Sequence, residues 1–129
     1  MRVLLDTHLL LWAASAPQRI PAAVRSILKA RDTSPVFSAA SIWEIVIKAA
    51  LGRPDFQVDP RLLRKGLLVH GYEEVPVTGE HALAVRELPS LHKDPFDRIL
   101  FAQARSEGLV LLTADRDLAA YGPPCRLVR

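Results

Sequence analysis

The chain predicts an α/β fold, a short parallel sheet of four to five strands covered on both faces by helices, making three αβα layers. Three observations carry this. Short apolar runs, Val3-Leu4-Leu5 and Leu109-Val110-Leu111-Leu112, have the composition of strands buried on both faces. Longer segments with helical periodicity alternate with them. Acidic residues fall where a strand hands over to a helix, the edge at which parallel sheets bind ligands.

Residues 2–5 form the first strand and Thr7–Ala14 a helix. Pro21 suits the first turn of a second helix, through Ala30. Asp32-Thr33-Ser34-Pro35 is a turn into the strand Val36-Phe37, and Ser38–Leu51 is a helix stopped by Gly52. Residues 53–58 are loop. Asp59-Pro60 gives an N-cap and first-turn proline to the helix Arg61–His70. Glu74–Val77 is a strand, Gly79–Glu87 a helix and residues 88–93 a loop. Pro95–Glu107 is a helix ended by Gly108, Leu109–Thr113 the strongest strand, Asp115–Tyr121 a short helix and Arg126–Val128 an edge strand. With no repeat or linker, residues 1–129 read as a single domain.

Composition narrows the function classes. Half of the residues are hydrophobic, so a packed core is expected and extensive disorder is not. The lone Cys125 has no intrachain disulfide partner, which suits a reducing, cytoplasmic setting. Arg2, the run Leu9-Leu10-Leu11-Trp12 and Ala14-Ser15-Ala16 imitate a signal peptide, but Asp6 and His8 would interrupt its apolar region. No apolar run approaches the ~20 residues of a membrane helix. Seventeen Lys and Arg against fourteen Asp and Glu give a net charge of +3. If several acids gather in one cleft, the remaining surface is more basic than that figure, which suits a polyanion.

Four acids stand at the expected ligand edge: Asp6 after the first strand, Glu44 in its helix, Asp97 in Asp94-Pro95-Phe96-Asp97-Arg98, and Asp115 after the strongest strand. Gathered together they repel unless a cation neutralises them. Each also has a structural reading. Asp6 suits the cap of the following helix. Glu44 completes a capping box with Ser41 and an i, i+4 pair with Lys48, yet its helix is apolar almost all round, and a buried carboxylate needs a counter-charge or a metal. Asp94 is the natural N-cap before Pro95, leaving Asp97, on a stripe with Leu100, Phe101 and Ala104, to face the protein while Arg98 and Arg105 face solvent or substrate. Asp115 is the better ligand and Asp117 a peripheral helper; Thr7 and Thr113 offer hydroxyls nearby. His8, His70, His81 and His92 lack zinc-ligand spacing, and Trp12 and Trp43 read as core.

Leu5-Asp6-Thr7-His8 with Leu10-Leu11-Trp12, Ser41-Ile42-Trp43-Glu44-Ile45, His92-Lys93-Asp94-Pro95-Phe96-Asp97-Arg98 and Thr113-Ala114-Asp115 occur in an order that resembles the PIN-domain ribonucleases, specifically VapC-type toxins of prokaryotic toxin–antitoxin pairs. The resemblance places an acidic quartet on Asp6, Glu44, Asp97 and Asp115, binding Mg²⁺ or Mn²⁺ and hydrolysing RNA to 5′-phosphate and 3′-hydroxyl ends. From their positions beside that quartet, Thr7, Asp94, Thr113 and Asp117 are auxiliary candidates, and the basic residues Lys93, Arg98 and Arg116 are candidate RNA contacts. The resemblance implies a homodimer, a VapB-type antitoxin covering the cleft, and a transfer or ribosomal RNA as substrate. The tail Gly122-Pro123-Pro124-Cys125 departs from the usual pattern.

Other classes fit less well. An aspartyl-phosphate phosphatase wants a second Asp two residues after the first, where this chain has His8. A phospho-receiver wants paired acids near the start. A non-catalytic RNA-binding or assembly role is the alternative, and it predicts binding that needs neither Asp97 nor a divalent ion.

Overall fold

The three-layer expectation holds. A computed structural model describes residues 1–129. Five parallel strands, β1 (Arg2–Leu5), β2 (Ser34–Ser38), β3 (Glu73–Val75), β4 (Val110–Thr113) and β5 (Cys125–Leu127), lie in the order β3-β2-β1-β4-β5. Seven helices connect them: α1 (Thr7–Ser15), α2 (Ala22–Lys29), α3 (Ala39–Ala50), α4 (Pro60–Val69), α5 (Gly79–Ala84), α6 (Pro95–Glu107) and α7 (Arg116–Ala119).

Alternation along the strands divides the core into two halves. Val3, Leu5, Phe37 and Leu112 point to one face, where they meet Leu9 and Leu10 of α1, Val24 of α2, Ile45 of α3 and Leu63 and Leu67 of α4. Leu4, Val36, Val75 and Leu111 point to the other, against Leu100, Phe101 and Ala104 of α6 and Leu118 of α7. Burying each such side chain fully contributes about 1.5–3 kcal/mol, so both faces drive closure of the sheet. At the central strands Leu4 pairs with Val36 on one side and Leu111 on the other.

Connections leave β1 in one direction along the sheet and reach β4 in the other. The order therefore reverses between β1 and β4, and the crevice at their carboxyl ends is where such sheets place ligands.

Several local expectations shift. β2 extends through Ser38, whose hydroxyl caps α3 by accepting from Ala40 N at 3.0 Å, so Ser41 is not the cap of that helix. β5 sits one residue earlier than expected, β3 starts one residue earlier and ends two earlier, and a tighter single turn, Val85–Glu87, follows α5. α6 ends where Gly108 adopts φ 68°, a left-handed value that favours glycine.

α3 is not a buried helix. Ile45 is fully enclosed, but Trp43, Val46, Ile47 and Leu51 are exposed, Trp43 by 63 %. The helix packs on the sheet with one face, and no further layer lies outside it. Trp43 is thus a surface residue rather than core, its ring edge resting on Phe96 with centroids 5.3 Å apart. Trp12, by contrast, packs against the first core half with Arg19 over its ring.

Candidate metal centre

Asp6, the residue after β1, is 3 % exposed and performs two local tasks. Its Oδ1 accepts from Leu9 N at 2.8 Å, capping α1, and its backbone N–H donates to Leu112 O at 3.1 Å, extending the β1–β4 ladder. Its Oδ2 accepts a short hydrogen bond from Thr113 Oγ1, at the end of β4. The same threonine oxygen accepts from Asp115 N at 3.0 Å, which fixes the start of the next turn. Asp115 in turn caps α7 through Asp117 N at 2.9 Å. Capping and a position at the sheet's carboxyl edge coincide here, because the strand ends are also the helix starts.

The third acid arrives from the other face. Asp94 Oδ1 accepts from Phe96 N at 2.8 Å and Asp97 N at 3.1 Å, so Asp94 is the cap of α6 and Asp97 lies in its first turn. Asp97 Oδ2 meets His92 Nε2 at 2.7 Å. Donor atoms of His92, Asp97 and Asp115 all lie within 4.8 Å of one another.

Glu44 stands apart from that trio. It is buried, its Oε2 pairs with Lys48 Nζ at 3.0 Å, and its Oε1 is enclosed without a hydrogen-bond partner. An enclosed carboxylate oxygen lacking a donor is energetically costly, on the order of 1–3 kcal/mol, and a cation would satisfy it. Thr7 does not present a free hydroxyl to the cleft: its Oγ1 donates to Ser41 Oγ at 3.0 Å, tying α1 to α3 one turn before Glu44.

The acids feel one another. Burial pushes the Asp97 carboxyl up to about 6, against the hydrogen bond from His92, with the charges of Asp94 and Asp6 adding to the rise. Burial also raises Asp6, more than the Thr113 and Leu9 hydrogen bonds lower it, and Asp115 raises it further. Cys125, at the start of β5, is pushed up to about 12 by burial and by the charges of Asp6, Asp97 and Asp115. Three carboxylates therefore share one electrostatic neighbourhood. Burial pulls His92 down, but its hydrogen bond with Asp97 and the charges of Asp97, Asp115 and Asp94 outweigh this and raise it. Crowded, partly desolvated carboxylates with one adjacent imidazole fit a hard divalent cation: oxygen donors suit Mg²⁺ and Mn²⁺, and their charge repels until such an ion is present.

The peripheral candidates separate. Lys93 and Arg116 are exposed beside His92 and Asp115, and Asp117 is exposed on α7. Arg98 faces inward, not toward solvent or substrate as its helical stripe suggests. Its Nη1 donates to Tyr121 Oη at 2.9 Å, Pro89 O at 3.1 Å and His92 O at 3.3 Å, and its Nη2 to Val85 O at 3.1 Å. His92 has no zinc-ligand spacing to mark it; its place five residues before Asp97, just ahead of a proline-started helix, is the available signal. Gln103 carried no such signal. It accepts from Ser38 Oγ at 2.6 Å and donates to Pro76 O at 3.3 Å, fixing α6 against the end of β2. His81 is structural, completing the cap of α5 with Thr78 and meeting Glu107 at 3.0 Å.

Residues 3–122 match the PIN domain family. Over 123 residues the chain is 32 % identical to ribonuclease VapC22 of Mycobacterium tuberculosis, covering 95 % of this chain and 93 % of that protein. The fold resembles that of VapBC2 from Rickettsia felis bound to a promoter DNA fragment, with TM-score 0.72, 14 % identity and full coverage of both chains. It also resembles VapC20 of Mycobacterium tuberculosis, a toxin that cleaves the sarcin–ricin loop, with TM-score 0.64, 14 % identity and coverage of 93 % and 95 %.

Proposed function

Because this chain belongs to the PIN-domain family, we propose that it is a Mg²⁺- or Mn²⁺-dependent endoribonuclease and the toxin of a toxin–antitoxin pair. The observation that carries this is the convergence of His92, Asp97 and Asp115 donor atoms within 4.8 Å, with Asp6 joined to the cluster through Thr113.

Asp6, Asp97, Asp115 and, from the α3 side, Glu44 would hold the ion. When bound, it supplies positive charge that makes a water more acidic and stabilises the charge building on the phosphodiester. The chain's own contribution is placement. Thr113 and Leu9 N hold both oxygens of Asp6, and His92 orients Asp97. Asp94 keeps the first turn of α6 wound, so that Asp97 does not drift. Lys93 and Arg116, exposed beside the acids, would take RNA phosphates, and the sarcin–ricin loop cleaved by VapC20 makes ribosomal RNA one substrate class, with transfer RNA the other that the family resemblance implies.

The partners follow from the surface. Trp43, Val46 and Ile47 on α3 are exposed together with Leu62, Leu68 and Val69 on α4. A monomer that keeps so many large apolar side chains in water is suited to being covered, by a second copy in a homodimer and by a VapB-type antitoxin of the kind paired with its toxin in VapBC2. No helix is long and apolar enough to cross a membrane, and a cytoplasmic setting accords with an RNA substrate.

The test is cleavage of total cellular RNA by purified protein with Mn²⁺, Mg²⁺ or EDTA, beside Asp97→Asn. Discrete fragments that need the metal and vanish in the variant support the nuclease. RNA binding without metal-dependent cleavage, unchanged by Asp97→Asn, would replace it with a non-catalytic RNA-binding role.

A further inference from the structure

We propose that Arg98 and Tyr121 are positioning residues that clamp the loop carrying His92, holding its imidazole against Asp97; the inference rests on the metal-site reading above.

The loop between residue 88 and the cap at Asp94 has no helix or strand of its own. Its shape is set by carbonyl acceptors. Arg98 spends its guanidinium on three backbone carbonyls, Val85, Pro89 and His92, and on the Tyr121 hydroxyl. Tyr121 Oη then donates to the same His92 carbonyl at 3.4 Å. The tyrosine ring is itself fixed, its centroid 4.9 Å from that of Phe101 on α6. His92 is thus held at both ends, its carbonyl by Arg98 and Tyr121 and its Nε2 by Asp97 Oδ2 at 2.7 Å.

One helix supplies both halves of the arrangement. Asp97 and Arg98 are neighbours on α6, pointing to opposite ends of one residue, His92. If α6 rotates or slides, the acid and the clamp move together, and the contact between His92 and Asp97 is preserved. A guanidinium is suited to this role because its donors form a rigid planar fork that reaches several acceptors at once, whereas a lysine ammonium is a compact charge on a flexible stem. A residue with this many protein acceptors is not free to bind phosphate. Outer partners that orient a ligating carboxylate change metal affinity or activity by about 10–100-fold when removed.

Arg98→Lys keeps the charge and loses the fork. Tyr121→Phe keeps the ring on Phe101 and loses one hydroxyl. Both full-length variants are compared with wild type by calorimetric titration of Mn²⁺, by kcat and KM on an RNA oligonucleotide, and by the ¹⁵N resonances of the His92 ring, with circular dichroism reporting the folded fraction. Arg98→Lys is expected to weaken Mn²⁺ binding and lower kcat, each by up to about 10-fold, the low end of the range for a direct outer partner because it acts through His92, with KM for RNA little changed and the His92 ring signal displaced. Tyr121→Phe is expected to shift the same readouts in the same direction by less. The clamp is overturned if Arg98→Lys matches wild type, if it raises KM alone, which would make Arg98 an RNA contact, or if every loss scales with the unfolded fraction. Wild-type protein that binds no Mn²⁺ and cuts no RNA overturns the underlying site reading; wild-type protein that does both, with variants indistinguishable from it, overturns the clamp alone.

Discussion

Thr113 Oγ1 donates to Asp6 Oδ2 across 107 residues of sequence and accepts from the Asp115 amide at 3.0 Å. One fully buried hydroxyl thus links the Asp6 carboxylate to the Asp115 amide just past the ends of two adjacent central strands, with its proton and a lone pair both engaged. Thr113→Val has nearly the same shape and leaves both Asp6 Oδ2 and Asp115 N without this partner. It should lower stability in urea by about 1–3 kcal/mol and depress the RNA cleavage rate, while Thr113→Ser retains most of both. A valine variant that cuts RNA at the wild-type rate would show that the link is ornamental to the chemistry.

Metal-free stability should fall as pH rises through 6. Asp97 in the folded chain titrates near 6 rather than at its ordinary 3.8, so the folded state holds that proton more tightly than the unfolded state. Its stabilising contribution is complete below about pH 4 and is lost as pH rises through the folded value, on the order of 2–3 kcal/mol in all. His92, raised by its acidic neighbours, acts in the same direction: its contribution is full below its unfolded value of 6.5 and fades above that. Added Mn²⁺ opposes the trend, since the ion competes with protons. Thermal unfolding from pH 5 to 8, with and without Mn²⁺, should show the two curves diverging with pH, and Asp97→Asn should raise apo stability at pH 7 and remove most of the divergence.

Lys48 supplies the counter-charge on which Glu44 depends without metal, since Oε2 has the ammonium at 3.0 Å and Oε1 has no donor. Lys48→Met should destabilise the apo chain and enlarge the stabilisation gained on adding Mn²⁺, if Glu44 faces the ion. Scanning fluorimetry over a metal titration decides: an unchanged increment would detach Glu44 from the centre.

Asp94 is assigned to α6 rather than to the metal, because its Oδ1 is engaged by two amides. Asn caps as well as Asp, whereas Ala does not. Asp94→Asn should therefore leave stability and Mn²⁺ affinity close to wild type, while Asp94→Ala costs about 0.5–2 kcal/mol. A large loss of Mn²⁺ affinity in the Asn variant would return Asp94 to the ligand set.

The parallel layers, the two central strands and the placement of Asp6, Asp97 and Asp115 were legible because buried strands are apolar runs and caps have a short, local grammar. Trp43 was misread because an apolar helix has the same composition whether it is covered by its own chain or left for a partner. Arg98 was misread for a different reason: helical periodicity gives the direction of its stem, while the end of a long side chain goes where acceptors are, and those carbonyls belong to a loop without a pattern. The Ser38–Gln103 bond joins residues 65 apart and leaves no local trace.

The exposed indole of Trp43 also makes the protein its own optical probe. The chain has two tryptophans, and Trp12→Phe would leave Trp43 as the sole indole emitter. Trp43 is 63 % exposed, with its ring edge on Phe96, the residue adjoining Asp97. Covering it would shift its emission toward the blue without dye or tag, and any rewinding of the first turn of α6 would alter its quenching. Occupation of the α3 face and rearrangement beside Asp97 can then be followed in the same cuvette, on the timescale of mixing.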